Sequence, residues 1–166
     1  MMCAVKCQVH IQPRGRLNST LPNLEAWVDV NRKRVWTSDF SGPAPLRCGV
    51  TTMFLDPYSG TVSHIKWWVT STDTTMSTNL ASYINMAPTG SILLGVTMDD
   101  PTKSLQPALG TLTSLGIDVT DVVFHGDFAF IIQKGYNNKT QFVKGLTSAD
   151  APALSVTISG QAVDPH

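Results

Sequence analysis

The sequence predicts an α+β fold, a β-sandwich of mostly antiparallel strands with two main helices packed on it. Three observations carry that expectation. Much of the chain alternates apolar and polar residues in short runs bounded by turn-forming residues, the period of half-buried strands. Two segments, Met76 to Ala87 and Leu105 to Leu115, instead space their apolar residues three and four apart, as helices do. The signals run strands, helix, strand, helix, strands, which sets two helices against a strand-rich core. At 166 residues the chain fits one domain, taken as 1–166. A domain of that size hides roughly two-thirds of its unfolded surface and folds without staples.

Taken in order, Cys3 to Ile11 alternates and reads as a half-buried strand. Leu24 to Val30 and Val35 to Phe40 read as a hairpin around the basic turn Asn31-Arg32-Lys33-Arg34. Gly49 to Leu55 is a third apolar run, closed by the turn Asp56-Pro57-Tyr58-Ser59-Gly60, and Thr61 to Thr70 returns as the next strand. Met76, Leu80, Tyr83, Ile84 and Ala87 make the first helical stripe, with Asp73 or Thr74 as cap and Pro88-Thr89-Gly90 as stop. Ser91 to Met98 is apolar almost throughout, the pattern of a strand covered on both faces. Leu105, Ala108, Leu109, Leu112 and Leu115 form the second helix, with Pro107 near its first turn and Gly116 at its end. Val122 to Phe124, Phe128 to Ile132 and Leu154 to Ile158 complete the strands.

Composition narrows the function. Twelve Lys and Arg balance twelve Asp and Glu, so no electrostatic pull towards nucleic acid or anionic membrane is expected. Charged residues are 14% of the chain, against about 25% in ordinary soluble domains. Ser, Thr and Asn supply the polar surface instead, which suits uncharged hydroxyl-bearing ligands better than phosphates. No window is long and apolar enough for a membrane span, and Met1 to Lys6 has no signal-type core, so the expectation is a cytosolic chain or one trimmed of a leader. Three cysteines, Cys3, Cys7 and Cys48, cannot all pair with one another. On one strand Cys3 and Cys7 stand about 13 Å apart, too far for a bridge. Cys48 pairs with one of them or, as the favoured reading, all three stay reduced in strands.

The chain carries no nucleophile-elbow, phosphate-loop, dinucleotide, zinc-protease or calcium-loop motif. Glu25 is the single glutamate, so a two-carboxylate hydrolase would need aspartates in both roles. No enzymatic activity, cofactor or metal is expected. The polar candidates are few. Asp99 and Asp100 follow a buried strand and precede Pro101; as neighbours on a strand they face opposite ways, and as a helix start one of them caps. His125-Gly126-Asp127 reads as a tight turn whose Asp accepts either a sugar hydroxyl or its own backbone N–H. Trp67 and Trp68 are adjacent, so one indole faces the core and the other faces outward, where it is a platform for a sugar ring or packs under a loop. Asn18-Ser19-Thr20 and Asn138-Lys139-Thr140 are N-glycosylation sequons if the chain is secreted.

Several of these segments recur in one order: Arg47-Cys48-Gly49-Val50, the Asp56–Gly60 turn, Met76 to Tyr83, Gly90 to Pro101, Leu112 to Gly116, and Phe128 to Gly135. That series resembles the ILEI-type domain of the interleukin-like inducer of epithelial–mesenchymal transition, also found in the stem of protein O-mannose N-acetylglucosaminyltransferase. The resemblance covers about residues 3–145 and is strongest over 47–145. It implies a helix-covered β-sandwich without enzymatic activity and an extracellular or secretory setting. In the transferase stem the domain is similar to a lectin for a terminal N-acetylhexosamine-type sugar. Carried over residue by residue, the acidic pocket position is Asp99; His125 stands where the family has Arg, and Phe128 where it has Trp. Trp67 takes the aromatic position of a family pair whose acidic partner is replaced by Trp68.

The resulting expectation is a non-enzymatic carbohydrate-binding protein acting on glycans or glycoproteins, gaining avidity where it forms a homo-oligomer. Its site would use Asp99, helped by Asp100 or Asp127, with His125 donating and Trp67 or Trp68 stacking. The alternative is a cytokine-like or cell-surface protein-interaction domain, which requires an exposed apolar patch.

Overall fold

The computed structural model describes residues 6–14, 25–38, 48–146 and 151–159. Its strands are β1 (Lys6–Gln12), β2 (Trp27–Val30), β3 (Lys33–Thr37), β4 (Gly49–Asp56), β5 (Thr61–Trp68), β6 (Ile92–Met98), β7 (Asp127–Gln133), β8 (Gln141–Gly145) and β9 (Leu154–Ser159). The helices are α1 (Thr74–Met86) and α2 (Gln106–Ser114). Two antiparallel sheets form, ordered β3-β2-β1-β9 and β5-β4-β6-β7-β8. The α+β sandwich expected from the sequence is therefore present, with three layers: four-stranded sheet, five-stranded sheet, helices.

The five-stranded sheet is the middle layer, and its residues sort by alternation. Met53, Leu94, Val96, Ala129 and Ile131 face the four-stranded sheet and meet Val9, Ile11 and Val28. Val50, Leu93, Phe128, Phe130 and Ile132 face the other way and meet Leu80, Ile84 and Leu112 of the helices. All seven residues of β6 are buried as a result, which is why its sequence lacks alternation. Gly95 lies opposite Phe130 in the β6–β7 register. Its missing side chain makes room for that ring: a Cβ there would come within 2.1 Å of the Phe130 ring atoms.

The helices follow their local signals. Asp73 caps α1, its Oδ1 accepting from Thr75 N at 2.8 Å and Met76 N at 3.3 Å. At the other end Lys134 Nζ donates to the carbonyls of Ile84 and Asn85, at 2.7 and 3.0 Å, so a cation meets the negative end of the helix dipole. Pro107 stands in the first turn of α2, where its lack of an N–H costs nothing.

Three expectations need correction. Neither Asp99 nor Asp100 caps α2: the helix begins at Gln106, with Leu105 at its cap position and no side-chain cap. Val122 to Phe124 is not a strand. Val122 N donates to Val119 O and Gly126 N to Val123 O, so local turns take the bonds a ladder would use. Strand β8 was not anticipated, because Phe142 and Val143 are adjacent and the run does not alternate cleanly. The start of the first expected strand, including Cys3, lies outside the described residues, as do Leu24, Asp39, Phe40, Arg47 and the Asn18 sequon. Cys7 and Cys48 both retain thiols and form no disulfide.

Replacing Gly95 by Ala pushes a methyl into the Phe130 ring and is expected to cost about 1–3 kcal/mol. Urea titration reads this as a lower midpoint. The double variant Gly95→Ala with Phe130→Leu should lose less than the two single losses added together. Simple additivity would show that the two positions do not share this space.

Candidate functional site

The antiparallel order brings one end of five strands together: the C-terminal ends of β5, β6 and β8 beside the N-terminal ends of β4 and β7. All six sequence-derived candidates lie along this edge. Trp67 and Trp68 close β5, Asp99 and Asp100 follow β6, and His125 and Asp127 flank the start of β7.

Three of the six serve the fold. Trp68 is 7% exposed; its Nε1 donates to Thr52 Oγ1 at 2.9 Å and its ring packs on Tyr83 with centroids 5.1 Å apart. It belongs to the helix-facing core and offers no stacking surface. Asp127 is fully buried, and its Oδ1 accepts from Ala151 N at 3.0 Å, which ties the approach to β9 against β7. Asp100 is also buried; its Oδ1 accepts from Thr102 N at 3.3 Å and Thr102 Oγ1 at 3.0 Å, closing an Asx turn. A polar side chain at the end of a buried strand is recruited by backbone groups that would otherwise lose water. Buried Thr97 shows the same rule, its Oγ1 accepting from Phe128 N at 2.9 Å.

The other three reach solvent. Trp67 is 38% exposed on the face of β5 opposite Trp68. Asp99 and His125 are half-buried and both occupy left-handed backbone, at φ 59° and 67°. Such conformations in residues other than glycine mark places where the chain is held against its preference. The Asp99 carboxylate also accepts from the Cys48 thiol, Sγ to Oδ2 2.9 Å, and Ser71 Oγ donates to Cys48 O at 3.1 Å. Burial first, and then the Asp99 carboxylate, push the Cys48 thiol up to about 12, so it stays protonated and donates to Asp99 throughout the neutral range. The Cys48–Asp99 pair was invisible in sequence, because the partners are 51 residues apart.

A second surface feature adjoins this edge. Val123, Phe124 and Leu146 are exposed, Phe124 at 59%, and Val123 N donates to Leu146 O at 3.1 Å. The Phe124 ring lies against His125 with centroids 3.5 Å apart. Among the described residues no group of three His, Cys, Asp or Glu side chains is arranged to hold a metal ion. No described helix is long and apolar enough to cross a membrane. The Asn138 sequon sits on a short 3-10 turn, Asn137–Lys139, and is exposed.

Fold and edge together define a helix-covered β-sandwich domain with a polar and aromatic surface at one end of its middle sheet. The family model described as interleukin-like EMT inducer (ILEI) matches residues 48–136, more than half of the chain, and the chain belongs to that family. The matched stretch holds β4 through β7, both helices and all six candidate residues. No curated protein matches the chain.

Cys48 is expected to react slowly with iodoacetamide at pH 8, far more slowly than in the urea-unfolded chain. Asp99→Asn removes one of the causes holding the thiol up and should raise that rate while leaving it below the unfolded value. Equal rates in the folded wild type and the unfolded chain would exclude the Cys48–Asp99 arrangement.

Proposed function

We propose that this chain is a single non-catalytic, carbohydrate-binding domain whose site is the strand-end surface carrying Trp67, Asp99 and His125. One observation supports the reading most: these three accessible side chains come from three strand ends of one sheet. Asp99 and His125 follow and precede neighbouring strands, and Trp67 is two strands from Asp99, roughly 10 Å at the usual strand spacing. A glycan of two or three sugars spans that distance. The carboxylate of Asp99 accepts from paired ring hydroxyls, the His125 imidazole offers an N–H, and the Trp67 indole covers the apolar face of a sugar ring. Asp100, Asp127 and Trp68 hold the surface in shape from beneath.

Membership of the ILEI family supports the same direction, as does a surface rich in hydroxyl and amide groups. A single open site of this kind binds weakly, so useful avidity would come from a homo-oligomer displaying several copies to glycoproteins. The reading places the chain in an extracellular or secretory setting, where glycans are displayed and the exposed Asn138 sequon would itself carry one.

The exposed Val123, Phe124 and Leu146 favour a second reading, a cytokine-like or cell-surface domain that docks a protein without sugar. A glycan array separates the two. Selective binding is expected, weakened roughly tenfold or more by Asp99→Ala and by Trp67→Ala, each loss being of the size of one charged hydrogen bond or one aromatic contact. Binding that survives both changes places the glycan elsewhere. A blank array on folded protein removes the carbohydrate reading and leaves the apolar surface as the site.

A further inference from the structure

The two sheets of the sandwich are unequal, four strands against five, and they part on the side where the edge strands β8 and β9 approach each other. The inner face of the middle sheet is mostly apolar. At this end two polar residues interrupt it. Gln133 is paired with Ile92 and Gln141 with Ile131. Directly paired residues share a face of the sheet, so both glutamines project into the gap between the sheets. A cavity of about 270 Å³ lies there, floored by Ile92, Ile131 and Ile158 and rimmed by Gln133, Gln141 and Lys139. It is at the far end of β6 from Asp99, roughly 20 Å away along seven residues of strand.

Apolar side chains at these two positions would close the sandwich and leave no amide to desolvate. The glutamines keep the cleft open and line it with hydrogen-bonding groups. Gln133 Nε2 donates to Gly90 O at 3.3 Å, leaving its carbonyl available, and the Gln141 side chain has no hydrogen-bond partner among the described residues. Among the described lining residues Lys139 is the only charge and no carboxylate is present. Its Nζ sits 5.3 Å from the centre of the Tyr136 ring, a contact that fixes its position without using its N–H donors. An isoleucine floor with a cation and amides at the lip matches a ligand with a hydrocarbon body and one anionic head.

The geometry points to this cleft as a binding site for a small amphipathic carboxylate, its chain on Ile92, Ile131 and Ile158 and its head at Lys139 and Gln141. The cavity falls just below the range of about 300–1,000 Å³ that encloses drug-sized ligands, so the body suits roughly ten non-hydrogen atoms. The site is independent of the carbohydrate reading, since it lies at the opposite end of the sheet and shares no residue with it.

Octanoate, at that size, is the probe, titrated at low millimolar concentration into 15N-labelled protein made without N-glycosylation, so that Asn138 carries no glycan beside the cleft. Saturable shifts are expected in the amides around Gln133, Gln141 and Ile158, with those of Asp99 and His125 unmoved. Lys139→Glu changes an exposed side chain and keeps the fold; it should weaken octanoate roughly three- to tenfold and admit octylammonium, which the wild type disfavours. Ile158→Trp fills the floor and should abolish both, and where that variant fails to fold the Lys139→Glu exchange decides alone. No shift at these amides, or equal octanoate and octylammonium binding in both proteins, overturns the assignment.

Discussion

Strand β6 carries seven consecutive buried residues, and each layer of the molecule is arranged to keep water from one of its two faces. The four-stranded sheet covers Ile92, Leu94, Val96 and Met98. The helices cover Leu93, and the Phe130 ring lies over Gly95 on the same face. Burying an apolar side chain of this size contributes about 1.5–3 kcal/mol relative to leaving it exposed, so exposing either face would remove several such contributions together. A strand committed in this way has no side chain between Leu93 and Met98 left for a ligand. Chemistry can begin only where the chain leaves the sheet, at Asp99 on one end and beside Ile92 on the other.

That constraint also explains why polar residues at the strand ends divide into two groups. Asp127, Asp100 and Thr97 lie where backbone N–H groups lose water, and each accepts from one: Ala151 N, Thr102 N and Phe128 N. Asp99 lies one residue beyond the buried strand, in left-handed backbone, and accepts from a side chain, the Cys48 thiol. A thiol raised to about 12 keeps its proton and donates it to one carboxylate oxygen of Asp99.

Much of the fold was legible because burial writes itself into periodicity. The nearly unbroken apolar run Ser91 to Met98 announced a doubly covered strand, and Asp73 or Thr74 marked the start of α1, where the structure gives the cap to Asp73. The same reasoning failed where apolar residues serve turns. Val122, Val123 and Phe124 resemble a strand in composition, yet only Val122 is buried and turns take the local bonds. Strand β8 went unseen because edge strands need not alternate. Adjacent tryptophans told that one indole faces inward, and register decided that it is Trp68, opposite Val50 on the helix side. Which aspartate is structural was beyond sequence reach, since the partners Ala151 and Cys48 are distant along the chain.

The central claim is that function gathers at the strand-end surface of Trp67, Asp99 and His125, and chemical-shift mapping with a glycan tests it most directly. A binding oligosaccharide titrated into 15N-labelled protein should move the Trp67 indole N–H together with the amides of Asp99 and His125. The buried Trp68 indole N–H, bonded to Thr52, should stay in place. Shifts confined to the outer face of the four-stranded sheet, or a Trp67 indole that never moves while the glycan saturates, would contradict the account.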